Sequence, residues 1–214
     1  MTRVLITGFE TFAGEPTNPS WEAVRLVADA PGPGPEVTAV RLSCVYGRAL
    51  DELRAAVERV EPDLVLCVGQ AGGRPDVTVE RIAINVDDAR IPDNAGRQPI
   101  DVPIVPGGPA AYFATLPIKA CVAAARAAGV PASVSSTAGT FVCNHVFYGL
   151  MHLLTTERPT VRGGFVHVPF ASDRATDRAI ASLPLPTIAE GLRAILTTAV
   201  DRVDDIVEVG GTTH

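Results

Sequence analysis

Positive charge is in short supply. The 214 residues carry 18 Lys and Arg against 24 Asp and Glu, a formal net charge of −6. That balance argues against non-specific binding to nucleic acid or to an anionic membrane. Lysine is almost absent, Lys119 being the single one, which reads as codon bias and not as an anion site. No apolar run approaches the roughly 18 residues of a membrane span. Met1–Gly8 holds three large apolar residues and then turns, so it reads as a first strand and not as a signal peptide. The four cysteines, Cys44, Cys67, Cys121 and Cys143, lie far apart, with no CxxC, HExxH or clustered His/Cys pair. Structural zinc is therefore not expected, and without a secretion signal neither are disulfides. The expectation is a cytoplasmic protein with reduced thiols.

What remains is globular: 47% hydrophobic and 20% charged residues. The length suits a single domain, 1–214, with a core of its own. Strand and helix signals alternate. Arg3–Phe9 is an apolar strand. Asn18-Pro19-Ser20 offers an N-cap and a proline at the first helical position, so Ser20–Asp29 reads as a helix. Pro31–Pro35 is a turn. A strand over Glu36–Cys44 follows. Arg48–Glu61 repeats Leu50, Leu53, Val57 and Val60 at helical spacing, and Pro62 stops it. Asp63–Gly69 is a continuous apolar run of the kind found in central parallel strands. Val77–Val86 alternates like one strand.

Asp87–Pro109 then holds five prolines and three glycines with little periodicity. It reads as a long loop that covers a site or builds a subunit contact. Beyond it come an Ala-rich helix over Leu116–Ala128, a short strand over Pro131–Ser136, and a helix over Cys143–Thr155. A strand over Gly164–Pro169 and a helix over Thr187–Val203 complete the pattern, with a frayed tail over Gly210–His214. This order predicts a three-layer α/β fold around a mostly parallel sheet, with its site beyond the carboxyl ends of the strands.

The cysteines differ by context. Cys67 sits mid-strand and Cys121 on an Ala-rich helix, both packing positions. Cys44 ends a strand and reads as a wall residue. Cys143 stands where a helix begins, after the small-residue turn Thr137–Thr140. A helix N-terminus lowers a thiol pKa and aims backbone N–H groups at an oxyanion, so Cys143 is the candidate nucleophile. Of the four histidines, His145 is too close to Cys143 on one helix to face it, His152 lies late in that helix, and His214 is terminal. His167, near a strand end, is the candidate base. An acidic or amide residue would orient it. Glu80 is available within a strand-like segment, but periodicity leaves open a surface Glu paired with Arg81 or Arg90. The Gly69–Gly73 loop lacks dinucleotide and Walker spacings and reads as a tight ligand-facing loop.

Taken together, these motifs resemble the pyroglutamyl-peptidase I (pyrrolidone-carboxylate peptidase) family. The likeness runs through Gly8–Phe12 with Asn18–Ser20, Val68–Arg74, Glu80–Asn85, Ala89–Asn94, Gly107–Phe113, Ser136–Asn144 and Gly163–Pro169, in order, from about Arg3 to Phe170. Ala13-Gly14 stands where the family usually has two glycines. The resemblance implies an open α/β/α sandwich with a mixed sheet, a Cys143–His167–Glu80 triad, no metal or cofactor, and assembly as a homo-oligomer, a dimer or tetramer. It implies hydrolysis of small peptides bearing N-terminal pyroglutamate. That ring has no basic amine, so a neutral, apolar-walled pocket is expected, with Phe9, Phe12 and Phe141 as walls and Gln70 and Val142 as polar partners or wall. The Cys143 N–H, with Arg90 as a second donor, is the expected oxyanion site. The rival readings are a non-catalytic small-molecule binding module on the same fold, a nucleoside- or phosphate-handling enzyme, and a thiol hydrolase of other specificity.

Overall fold

The computed structural model describes residues 1–30, 34–172 and 181–211. Residues 31–33 of the expected turn and the terminal His214 lie outside them. The first half of the chain alternates β1 (Arg3–Phe9), α1 (Pro19–Ala28), β2 (Glu36–Leu42), α2 (Arg48–Val60) and β3 (Leu64–Gln70). Three short strands follow, β4 (Val77–Glu80), β5 (Ile82–Ile84) and β6 (Ala111–Phe113). The rest is α3 (Ile118–Ala127), β7 (Ala132–Ser135), α4 (Val142–Glu157), β8 (Arg162–Val168), β9 (Phe170–Ala171), β10 (Ser182–Leu183) and α5 (Leu185–Asp201).

Six strands form one mixed sheet in the order β2-β1-β3-β8-β4-β7. The β2, β1, β3 and β8 strands run parallel, and β4 lies antiparallel to β8 and parallel to β7. The apolar runs are continuous because the sheet is covered on both sides. Val4 and Ile6 pack with α1, α3 and α5 on one face. Leu5, Val65, Cys67 and Phe165 pack with α2 and α4 on the other. The result is the expected three-layer α/β/α sandwich.

Local chemistry ties the elements to the sheet's carboxyl edge. Asn18 caps α1, its Oδ1 accepting from the Ser20 N–H at 3.1 Å. Ser20 Oγ in turn accepts from the Phe9 N–H at 3.0 Å, which joins the helix start to the end of β1.

Two expectations need correction. Val77–Val86 is not one strand. The chain leaves the main sheet at Arg81, and Ile82–Ile84 pairs instead with Ala111–Phe113. An alternating pattern registers which face is buried and is blind to a change of pairing partner. Gly210 is not frayed, because its carbonyl accepts from Arg81 Nη2 at 2.7 Å. Asp87–Pro109 is a long loop as expected, tied down where Asp87 and Val102 exchange both backbone hydrogen bonds, at 2.7 and 3.0 Å. The C-terminal tail also supplies a cap. Asp205 Oδ1 accepts from Ala120 N at 2.9 Å and Lys119 N at 3.1 Å, at the start of α3, where Pro117 offers no side-chain cap. The lone lysine holds the same tail, Lys119 Nζ donating to the Glu208 carbonyl at 2.6 Å.

Candidate active site

A cavity of about 400 Å³ opens where β1 and β3 end. Phe9, Phe12, Gln70, Phe141, Cys143 and Arg90, all singled out from the sequence, line it. So do Cys44, as a wall, and Phe170. Phe12 and Phe141 lie 5.2 Å apart, and Tyr46 stands edge-on to Phe141 at 5.5 Å. Val142 does not line the cavity. Its side chain is fully buried in the α2–α4 core, because the first turn of α4 points that position at the sheet.

Cys143 is partly exposed in the first turn of α4, whose start at Phe141 has no capping side chain. Its sulfur lies against Gly69, where an added Cβ would stand only 2.8 Å from Sγ and 2.9 Å from the Phe165 Cζ. The absent side chain at Gly69 is what admits the thiol. Gly69 is also the register partner of His167 in the β3–β8 pair, so the sulfur sits at the His167 position on the same face of the sheet. The thiol is not activated as its helix position suggested. Burial pushes its pKa up, Cys44 and Glu80 add to the rise, and Arg74 opposes it. Desolvation is the largest of these causes, and it favours the protonated thiol. Burial also pushes the Cys67 thiol up to about 12. Cys44 rises to about 12 through burial and then Glu10 and Asp93.

His167 and Glu80 are both buried, at 3% and 0% exposure. The histidine Nδ1 lies 2.8 Å from Glu80 Oε1. Glu80 reaches it diagonally across the antiparallel β4–β8 pair, in which Thr78 is the direct partner of His167. A carboxylate at Nδ1 makes that nitrogen the donor and leaves Nε2 free to accept. Burial lowers the pKa of His167, and this wins over the hydrogen bond and charge of Glu80, which raise it. Burial would raise Glu80, but its bond to His167, the charge His167 carries when protonated, and the Arg74 charge hold it below the usual carboxylate value. The pair therefore rests as carboxylate and neutral imidazole. The surface alternative for Glu80 is overturned, and its arginine partner is neither Arg81 nor Arg90 but Arg74, whose Nη1 donates at 2.6 Å.

Arg90 is exposed at the cavity rim. Nearby, Asp87 lies 2.8 Å from His145 Nδ1. His145 Nε2 accepts from the Gly47 N–H at 3.0 Å, so this ring faces away from the Cys143 chemistry. Asp93 receives the Tyr46 N–H at 2.9 Å, and Asn94 donates to Glu10 Oε1 at 2.8 Å. The rim residues Arg90 and Ile91 are thus strung between buried anchors at Asp87 and Asp93. Sequence reasoning missed Arg74, His145, Asp87 and Asp93. Arg74 closes the Val68–Arg74 block and had a local signal. The His145–Asp87 pair, 58 residues apart, had none. No group of three or more His, Cys, Asp or Glu that could hold a metal ion occurs among the described residues. No described helix is long and apolar enough to cross a membrane.

A family profile described as pyroglutamyl peptidase matches residues 2–202. The pyrrolidone-carboxylate peptidase of Streptomyces coelicolor is 63% identical over 216 residues, covering 100% of both chains. That of Bacillus cytotoxicus is 51% identical over 215 residues, again covering 100% of both. Among solved structures, pyroglutamyl peptidase I from Bacillus amyloliquefaciens superposes with a TM-score of 0.94 at 46% identity, covering 97% of this chain and 99% of that one. The pyrrolidone carboxyl peptidase of Thermococcus litoralis gives 0.92 at 34% identity, covering 98% and 100%.

Proposed function

This chain belongs to the pyroglutamyl peptidase family, and from there we propose that it removes N-terminal pyroglutamate from small peptides through a Cys143–His167–Glu80 triad and a thioester intermediate. One observation carries the reading: the buried Glu80–His167 bond of 2.8 Å lies on the strand next to Gly69, the register partner of His167, against which the Cys143 sulfur packs at the edge of an aromatic-walled cavity. The lactam ring is neutral and flat. The phenyl faces of Phe9, Phe12 and Phe141 suit it, and Gln70 offers an amide partner.

The steps follow from the resting charges. The Cys143 S–H gives its proton to His167 Nε2 as sulfur adds to the scissile carbonyl carbon. The oxyanion forms at the uncapped first turn of α4, whose backbone N–H groups are free of side-chain caps, with Arg90 at the rim as second donor. His167 passes the proton to the leaving amine, the C–N bond breaks, and a pyroglutamyl thioester remains. Water then adds as His167 takes its proton. The C–S bond breaks, His167 reprotonates the sulfur, and free pyroglutamate departs. Glu80 holds the imidazole tautomer throughout. A cytoplasmic location, where thiols stay reduced, suits this chemistry. A homo-oligomer, dimer or tetramer, is tested by light scattering of the purified protein.

The deciding assay is hydrolysis of a pyroglutamyl fluorogenic amide under reducing conditions, with Cys143→Ala beside it and prolyl and glutamyl amides as controls. Pyroglutamyl-selective release lost in C143A is expected. Equal rates for the prolyl amide overturn the specificity, equal rates in C143A overturn the nucleophile, and no hydrolysis by folded protein favours a binding module.

A further inference from the structure

Arg74 leaves the glycine-rich turn after β3 and makes three contacts that no surface arginine needs. Its Nη1 donates to Glu80 Oε1 at 2.6 Å and to the Thr78 hydroxyl. Its Nη2 donates to the Thr137 carbonyl at 2.8 Å. Thr78 and Glu80 belong to β4, whereas Thr137 belongs to the turn that leads into α4 and Cys143. The guanidinium side chain is only 26% exposed. A guanidinium is planar and always charged, so it fixes directions as well as charge.

The oxygen that Arg74 grips is the one that His167 Nδ1 meets at 2.8 Å. With both contacts on Oε1, the carboxylate is pinned in one rotation. A buried carboxylate without a cation beside it tends to take up a proton, and a protonated Glu80 no longer attracts the imidazolium that forms during proton transfer.

We propose that Arg74 is a positioning residue of the hydrolysis: its guanidinium clamps the Glu80 carboxylate against His167 and ties that pair to the turn that delivers Cys143. The inference rests on the triad reading above. Arg74 touches neither the sulfur nor the cavity, and it acts through Glu80. The titratable groups around His167 are Glu80 on β4, Arg74 in the turn after β3, and Cys143 on α4, with Cys67 on β3 behind. The Arg74 charge lowers both Glu80 and His167. Its removal raises both, and each rise moves the acid limb of kcat/KM to higher pH, because activity needs an ionised Glu80 and a neutral His167.

The test compares wild type, Arg74→Met, Arg74→Lys and Glu80→Gln on a pyroglutamyl fluorogenic amide from acid to alkaline pH, with thermal melts for each. R74M is expected to lose about tenfold to a hundredfold in kcat, within the range that a general base supplies, with KM little changed and the acid limb moved to higher pH. R74K keeps the charge but cannot bridge Glu80 and Thr137 together, so it is expected to restore the limb and only part of kcat. A folded R74M with wild-type kcat and limb, beside a crippled E80Q, overturns the clamp and leaves the triad standing. An E80Q as active as wild type overturns the triad itself. A lower kcat in R74M at every pH with an unmoved limb makes Arg74 merely structural and overturns the proposal. If R74M does not fold, Arg74→Gln takes its place, and an acid limb left at its wild-type position overturns the proposal.

Discussion

A single methyl group placed at Gly69 tests the geometry of the site most directly. The backbone there lies outside the left-handed region, so Gly69→Ala acts only through space. The new Cβ would stand 2.8 Å from the Cys143 sulfur and 2.9 Å from Phe165 Cζ. Relaxed carbon contacts lie at about 3.5–4.0 Å, so the overlap approaches an ångström on each side. Phe165 cannot yield. It is fully buried and hemmed in by His167 at 4.9 Å, Phe147 at 5.7 Å and Phe9 at 6.4 Å. The sulfur can, because it borders the cavity. A shift of about 1 Å in a reacting atom costs roughly a hundredfold in rate. Overpacking costs about 1–3 kcal/mol, and the lower chain entropy of alanine offsets about 0.5–1 kcal/mol of it. A net loss near 1 kcal/mol corresponds to about 2–4 °C in Tm for a chain of this size. The expected variant is folded, slightly less stable and about a hundredfold slower in kcat on the pyroglutamyl amide, with KM little changed. A folded G69A with wild-type kcat refutes the placement of the sulfur over Gly69.

Five further outcomes are expected. Glu80→Gln retains the shape of the carboxylate but frees the His167 tautomer, and kcat falls about 10²-fold or more in steady-state assays. Because burial lowers His167, the acid limb of kcat/KM lies below the ordinary histidine value of 6.5. The same shift makes stability fall with pH below 6.5, since there the unfolded histidine binds a proton that the folded one refuses, as denaturant midpoints across pH would show. Alkylation of Cys143 by iodoacetamide, followed by mass spectrometry, is slow at neutral pH and at least about tenfold slower in His167→Ala, since the raised thiol depends on that base. Asp205→Ala removes the cap of α3, lowering stability by about 1 kcal/mol in thermal melts without changing kcat.

Much of the architecture was legible locally. Apolar runs, Pro and Gly breakers and the Asn18 cap located the long helices and strands to within a few residues, because face periodicity and chain termination are short-range effects. The same logic put Cys143 at the start of α4 and His167 at the end of β8, toward the carboxyl edge of the sheet. Motif likeness added Glu80, which periodicity had left between core and surface.

Other features depended on contacts between distant segments. Whether Glu80 faces water or His167 is decided by the antiparallel pairing of β4 with β8, and no residue near Glu80 encodes that neighbour. Arg74 becomes a partner of Glu80 only once the turn after β3 folds back on β4. His145 meets Asp87 only when α4 docks on the segment after β5. The Cys143 thiol shows the limit most sharply. Its helix position alone argues for a lowered pKa, but desolvation, a sum over every atom packed around the sulfur, reverses the sign. By itself the sequence determined the order of elements and the residue types at their ends. The tertiary structure decided burial, partners and charge state, because those depend on which distant surfaces exclude water together.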